Sequence, residues 1–370
     1  MADRLVLHIG TQKSGSTYLQ RLLHELAPTL PADLVYPIGL GRNPTQFNHE
    51  YACYPVLYPD IPYIKPSSVG RHTAKWEDLQ TAVATAPDVA LVSGEAICLA
   101  SEKTASDLVE QLGVPRVEVI ITARDLGSVI TSAWQQLIRN GRPRRLDDFL
   151  NSWMDSRGPG PLTEQEQRWE DDPSLFRWRE YAIGSLAARW QRVVGADHVT
   201  VVTVPPPGSP PTELWSRFRE ATGLQPDLPA EPPALGERAS NVGITEPETI
   251  AYLDILALLH NDGVRHHDRK WLVDRTIESA LLPRADDRGR RPKLPEKTRS
   301  AIEPYVQEDV ERLRQTGARI VGDINDLSLR DSSFAVEPVP VSQVNDAMAH
   351  IAAELTRIAT AVPEPPLEQA

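Results

Sequence analysis

The sequence predicts an α/β protein: a parallel β-sheet flanked by helices, with a helical C-terminal extension. Three observations carry that expectation. Short apolar, strand-forming runs at 4–9, 88–93, 116–123 and 198–204 alternate with segments whose apolar residues recur at helical spacing, the pattern of βαβ units. The first run passes directly into a glycine-bracketed loop and then a helix. Gly10, Glu95 and Arg124 each stand just past a run, so a parallel sheet gathers them at its carboxyl edge, where ligands of such sheets bind.

Each element follows in order. Residues 4–9 suit a buried strand, with His8 a core histidine, and Leu19, Leu22, Leu23 and Leu26 mark the first helix, which Pro28 and Pro31 end. Residues 33–37 are a short strand. From 38 to 72 the chain is rich in Gly, Pro, Asn and Tyr, which reads as one long irregular loop, a lid or acceptor loop with His49 among its aromatics. Helices follow through Trp76, Leu79 and Val83 and over 101–112, and the β-branched run 116–123 is the strongest strand. Residues 143–172 are helical in patches, and 176–194 read as one amphipathic helix. Further helices are expected at 212–222, 246–260 and 295–316, with a proline-rich connector at 225–235. The organisation expected is one α/β domain over 1–330. A proline-containing arm and alanine-rich helix then fill 331–370 as a packing or dimer element.

Composition excludes several classes. The 370 residues suffice for a large core, and a net charge of −12 argues against a general nucleic-acid binder. An anionic ligand therefore needs a local basic pocket. Cys53 and Cys98 make no disulfide framework and read as reduced, partly buried thiols. The N-terminus lacks a signal-peptide pattern and no apolar stretch approaches the ~18 residues of a membrane span, so a cytoplasmic protein is expected.

The loop at 10–17 reads Gly-Thr-Gln-Lys-Ser-Gly-Ser-Thr. Its glycines let the backbone bend, the first N–H groups of the following helix lack internal partners, and Lys13 adds a cation: the chemistry of a phosphate cradle. An ATP- or GTP-binding loop places its lysine just after the second glycine, whereas Lys13 precedes Gly15 by two residues. The order instead resembles the 5′-phosphosulfate loop of sulfotransferases that use 3′-phosphoadenosine 5′-phosphosulfate (PAPS). That loop carries Lys, Ser/Thr, Gly, Ser/Thr, Ser/Thr, and Lys13-Ser14-Gly15-Ser16-Thr17 matches it residue for residue. A second motif agrees. The family grips the 3′-phosphate with an Arg at a strand end and a Ser eight residues on, and Arg124 and Ser132 stand at that spacing.

The resemblance covers 4–26 and 117–141 well and implies a P-loop NTPase-like sulfotransferase fold with PAPS as cofactor. Thr11, Gln12, Lys13, Ser14, Gly15, Ser16 and Thr17 then hold the 5′ end, Arg124 and Ser132 the 3′-phosphate, and Lys13 stabilises the leaving phosphate. Residues 237–241 are the weak candidate for the family's late loop over the nucleotide. No metal is implied, since the second strand ends Ser-Gly-Glu rather than in a metal-binding Asp. The acceptor hydroxyl needs a base, and Glu95 and His49 are the candidates, with Glu95 favoured. The expected partner is a small-molecule, carbohydrate or glycolipid hydroxyl. The alternatives are a kinase-like nucleotide-binding enzyme and a catalytically silent protein of the same fold.

Overall fold

The computed structural model describes residues 2–41, 46–210, 212–235, 243–284 and 288–361. β1 (Arg4–Gly10) leads into α1 (Ser16–Leu26), the short β2 (Leu34–Val35), and then α2 (Glu50–Leu57), α3 (Pro66–Val69) and α4 (Thr73–Thr85). β3 (Val89–Ser93) and α5 (Glu102–Leu112) precede β4 (Arg116–Ala123) and α6 (Leu126–Arg139). Four helices follow: α7 (Leu146–Arg157), α8 (Leu162–Asp171), α9 (Phe176–Tyr181) and α10 (Ile183–Val194). After β5 (Val199–Thr203) come α11 (Glu213–Thr222), α12 (Glu246–Asn261) and α13 (His266–Thr276). The chain ends with β6 (Leu294–Pro295), α14 (Arg299–Thr316), β7 (Arg319–Val321), β8 (Phe334–Ala335) and α15 (Val341–Ala361).

The chain divides into two compact units. The first, made of 1–129, 155–239 and 300–329, contains a six-stranded sheet in the order β2-β3-β1-β4-β5-β7, every pair parallel. The expected α/β architecture is therefore present. β1 lies at its centre, and Leu5, Val6, Leu7 and Ile9 have no exposed surface, as a strand covered on both faces requires. The leucine stripe of α1 (Leu19, Leu22, Leu23, Leu26) packs with Trp215 and Phe218 of α11 over β1 and β3. His8 takes the expected core place: its ring lies 2.8 Å from Ser93 Oγ on β3 and 3.2 Å from Thr122 Oγ1 on β4. Burial lowers its pKa to about 3.

Two expectations need correction in detail. The 38–72 segment is not structureless, because α2 and α3 lie within it. Pro55 inside α2 obscured that helix in the sequence. The run 176–194 is two helices rather than one, broken at Ala182 (φ −83°, ψ 87°). Buried Asp309 accepts from the N–H groups of Ile183 (2.8 Å) and Gly184 (2.9 Å), so α10 starts on a carboxylate, which suits the positive end of a helix dipole. Gly184 is required there, since a Cβ would fall 2.6 Å from Leu313 N. The C-terminal segment groups with two others in the second unit, made of 130–154, 240–299 and 330–370. Ile351 of α15 is fully buried, Ser279 Oγ donates to Glu354 Oε1 (2.6 Å), and Arg284 pairs with Asp346. A capping box of Thr245 and Glu248 starts α12, and Glu248 also binds buried Arg288 at 2.7 Å.

Candidate functional site

The loop between β1 and α1 turns through left-handed backbone at Gly10 (φ 83°), Lys13 (φ 63°) and Gly15 (φ 82°). Lys13 is the one described non-glycine residue so placed, a conformation that costs an L-residue about 1–2 kcal/mol and that clusters at functional sites. At Gly10 a Cβ would sit 3.0 Å from Glu95 Cβ, and at Gly15 one would meet Leu214 Cδ2 at 2.5 Å. Thr11 N–H donates to the Thr122 carbonyl of β4 (2.6 Å), and the Thr11 and Ser14 hydroxyls bond at 2.7 Å. The N–H groups of Tyr18 and Leu19 both return to the Gly15 carbonyl. Those of Ser16 and Thr17 therefore precede the first helical bond, at the end of a helix that attracts anions. Gln12, Lys13 and Thr17 are half-buried, and Ser14 and Ser16 are buried.

Glu95 joins this loop. It begins a 3₁₀ turn over Glu95–Leu99 that follows β3, and it accepts a hydrogen bond from Ser16 Oγ. It is thus within a hydroxyl's reach of the cradle. Arg124 directly follows strand β4, half-buried, with Nε 4.0 Å from Asp125 Oδ2. Asp125 Oδ1 in turn accepts from Ser128 N–H (2.9 Å) and caps α6. Arg124 lines a pocket with Leu126, Trp178, Tyr181, Tyr305 and Asp309. Burial raises the Asp309 carboxyl to about 7, against its two backbone donors. Ser132 is half-buried on α6, in the stretch that belongs to the second unit. The candidate late loop, 237–241, lies outside the described residues.

His49 is placed differently from the expectation of a catalytic base in a lid. It is buried; Nδ1 accepts from Ser93 N–H (2.9 Å), so Nε2–H donates to the Pro37 carbonyl (2.7 Å). Burial chiefly lowers its pKa to about 4. Both nitrogens are committed to holding the segment against β3, which leaves no lone pair for a substrate proton.

Two carboxylates that the sequence did not single out lie near Glu95. Glu50 opens α2 and accepts from Tyr54 Oη (2.6 Å); its pKa is raised by burial and then by the Glu95 charge. Glu180 lies in the last turn of α9, is fully buried, and stands 3.8 Å from Cys98 Sγ in the Glu95 turn. Its pKa is raised to about 7 by burial, which outweighs Arg177. Cys53 and Cys98 are buried free thiols, both with pKa raised, chiefly by burial. The only signal for Glu50 in the sequence was its place beside His49, and Glu180 lay hidden in an amphipathic run.

Fold and loop together define a parallel α/β protein that gathers hydroxyls, a lysine and a helix N-terminus at the carboxyl end of its central strand. No family model matches the chain, and no curated protein sequence does. Among solved structures it is similar to the crystal structure of a sulfotransferase from Alicyclobacillus acidocaldarius. That match has 14% identity, 71% of this chain and 96% of that chain covered, and a TM-score of 0.37. At that level the function has to be argued from the site itself. No helix among the described residues is long and apolar enough to cross a membrane.

Proposed function

We propose that the chain is a sulfotransferase that moves the sulfuryl group of PAPS to a hydroxyl acceptor by in-line displacement. The supporting observation is the 10–17 loop, where left-handed Gly10, Lys13 and Gly15 wrap the backbone around the start of α1. Its donor set of N–H groups, hydroxyls and one ammonium suits a phosphosulfate, and the missing Cβ at Gly10 lets Glu95 approach the cradle. Bound PAPS supplies the sulfuryl group on a phosphate leaving group.

The chain's residues divide the remaining work. The loop N–H groups with Ser16 and Thr17 hold the 5′ end, and Arg124 and Ser132 hold the 3′-phosphate, the guanidinium in bidentate fashion. Glu95 takes the acceptor's proton as the acceptor oxygen bonds to sulfur. Lys13 steadies the charge left on the phosphate oxygen when its bond to sulfur breaks. The acceptor is a small-molecule, carbohydrate or glycolipid hydroxyl.

Titration with 3′-phosphoadenosine 5′-phosphate (PAP) against ATP–magnesium tests this reading. PAP should bind more tightly, and Arg124→Ala should weaken it by ~1.5–3 kcal/mol, the worth of a charged hydrogen bond. Adenosine 5′-phosphosulfate, without the 3′-phosphate, should hardly notice that change. Tight ATP binding with indifference to the 3′-phosphate would instead indicate a kinase-like enzyme.

A further inference from the structure

A guanidinium grips a phosphate bidentately only when its plane is fixed, so the surroundings of Arg124 decide how well it can read one. The backbone on both sides is held. The Ala123 carbonyl accepts from Val204 N–H (2.8 Å), and the Asp125 carbonyl accepts from Val129 N–H (3.1 Å). The Arg124 side chain is long and 27% exposed, and it lines a pocket with Trp178, Tyr181 and Tyr305. Its charged neighbour is Asp125, whose side chain has no exposed surface.

Asp125 is more firmly placed than an ordinary ion-pair partner. It directly precedes α6, and its Oδ1 accepts from Ser128 N–H (2.9 Å), three residues on. That is the N-cap arrangement, which fixes the carboxylate and sets it at the positive end of a helix. The second oxygen, Oδ2, lies 4.0 Å from Arg124 Nε. A carboxylate so anchored attracts the guanidinium by its Nε side, while the two terminal nitrogens, the pair a phosphate takes, extend beyond Cζ. Capping needs one oxygen, and Asn or Ser supplies it as well. The negative charge is therefore surplus to the cap, and Arg124 is the cation it faces.

Resting on the sulfotransferase reading, we propose that Asp125 is a positioning residue for the 3′-phosphate: it acts through Arg124, aligning the guanidinium before the nucleotide arrives. A side chain ordered in advance has less freedom to lose on binding. The positive end of α6 offsets part of the carboxylate's repulsion of a phosphate, so alignment prevails.

Calorimetric titration of PAP and of adenosine 5′-phosphosulfate tests this in the unsubstituted protein, Asp125→Asn and Asp125→Ser. Both variants keep an acceptor for Ser128 N–H, so the melting temperature should change little. They differ in bulk, and either serves if the other impairs folding. PAP should bind ~3- to 10-fold more weakly to each, the cost of ordering one long side chain on binding, and adenosine 5′-phosphosulfate as before. Added to Arg124→Ala, Asp125→Asn should cost PAP nothing further, because the two residues act as a unit. A merely structural role would weaken both nucleotides alike and add to the loss from Arg124→Ala. Additive losses, or PAP binding that is unchanged or tighter, overturn the proposal. The unsubstituted protein separates the two readings. If it binds PAP no better than adenosine 5′-phosphosulfate, the sulfotransferase reading falls and the positioning role with it. A preference for PAP that survives Asp125→Asn undiminished removes the positioning role alone.

Discussion

Lys13 combines two properties seldom found on one residue, a left-handed backbone and a charge at the mouth of a helix. The two can be separated. Lys13→Gly relieves the backbone and Lys13→Ala keeps its strain, but both delete the ammonium. If the charge acts on the leaving phosphate, both variants should lose turnover by roughly 100- to 1,000-fold, the cost of one transition-state donor, while PAP affinity falls less. Near-full turnover in either would take Lys13 out of the mechanism. Glu95 invites the companion substitution. Glu95→Gln keeps an oxygen for Ser16 Oγ but removes the base, so PAP should still bind and turnover should drop by ~100- to 10,000-fold. His49→Gln, by contrast, should lower thermal stability and spare turnover, since that ring bonds Ser93 and Pro37. Rate lost from His49→Gln and kept in Glu95→Gln would reverse the assignment.

Among elements, the strand-loop-helix at the N-terminus was the most legible in the sequence, and the reason is local. Apolar alternation, bracketing glycines and a leucine stripe are all set within 23 residues, 4–26. β7 was missed because three residues carry too little pattern, and its place beside β5 comes from the sheet. The break at Ala182 was missed because its cause, Asp309, is distant in the chain. Glu50 and Glu180 went unnoticed for the same reason, as neither has a local motif. Gly10 gives an element-scale test. Gly10→Ala should suffer both left-handed strain and a contact with Glu95 Cα at 3.1 Å, whereas Gly208→Ala (φ 94°) meets nothing within 4 Å. Strain alone costs about 1–2 kcal/mol, so Gly208→Ala should lose only that and Gly10→Ala more, with PAP binding lost as well. Equal losses, with PAP binding intact in both, would show that the close packing of Glu95 on the loop is dispensable.

At the scale of the whole molecule, the buried titratable groups oppose one another. His8 and His49 have pKa values lowered to about 3 and about 4 by burial. Below about 6.5 the unfolded chain binds their protons more readily, so these residues favour the fold increasingly as pH rises toward 6.5. Glu180 and Asp309 are raised to about 7, and Glu50 is also raised, burial being the first cause in each. There the folded state holds protons that the unfolded chain has released, so stability falls as pH rises from about 4.5 to 7. The two trends offset each other in mildly acidic solution, and above pH 6.5 the carboxylates prevail. The ligand-free protein should therefore melt at a lower temperature at pH 8 than at pH 6.5. Glu180→Gln isolates one contribution, because an amide stays neutral throughout. A carboxyl held near 7 rather than near 4.5 costs the fold on the order of 2 kcal/mol more at pH 8 than at pH 5.5. The melting temperature of Glu180→Gln should thus gain on the unsubstituted protein across that range, at about 2–4 °C for each kcal/mol in a domain of 150–250 residues. A gap that stays constant from pH 5.5 to 8 would mean that Glu180 ionises as an ordinary carboxylate.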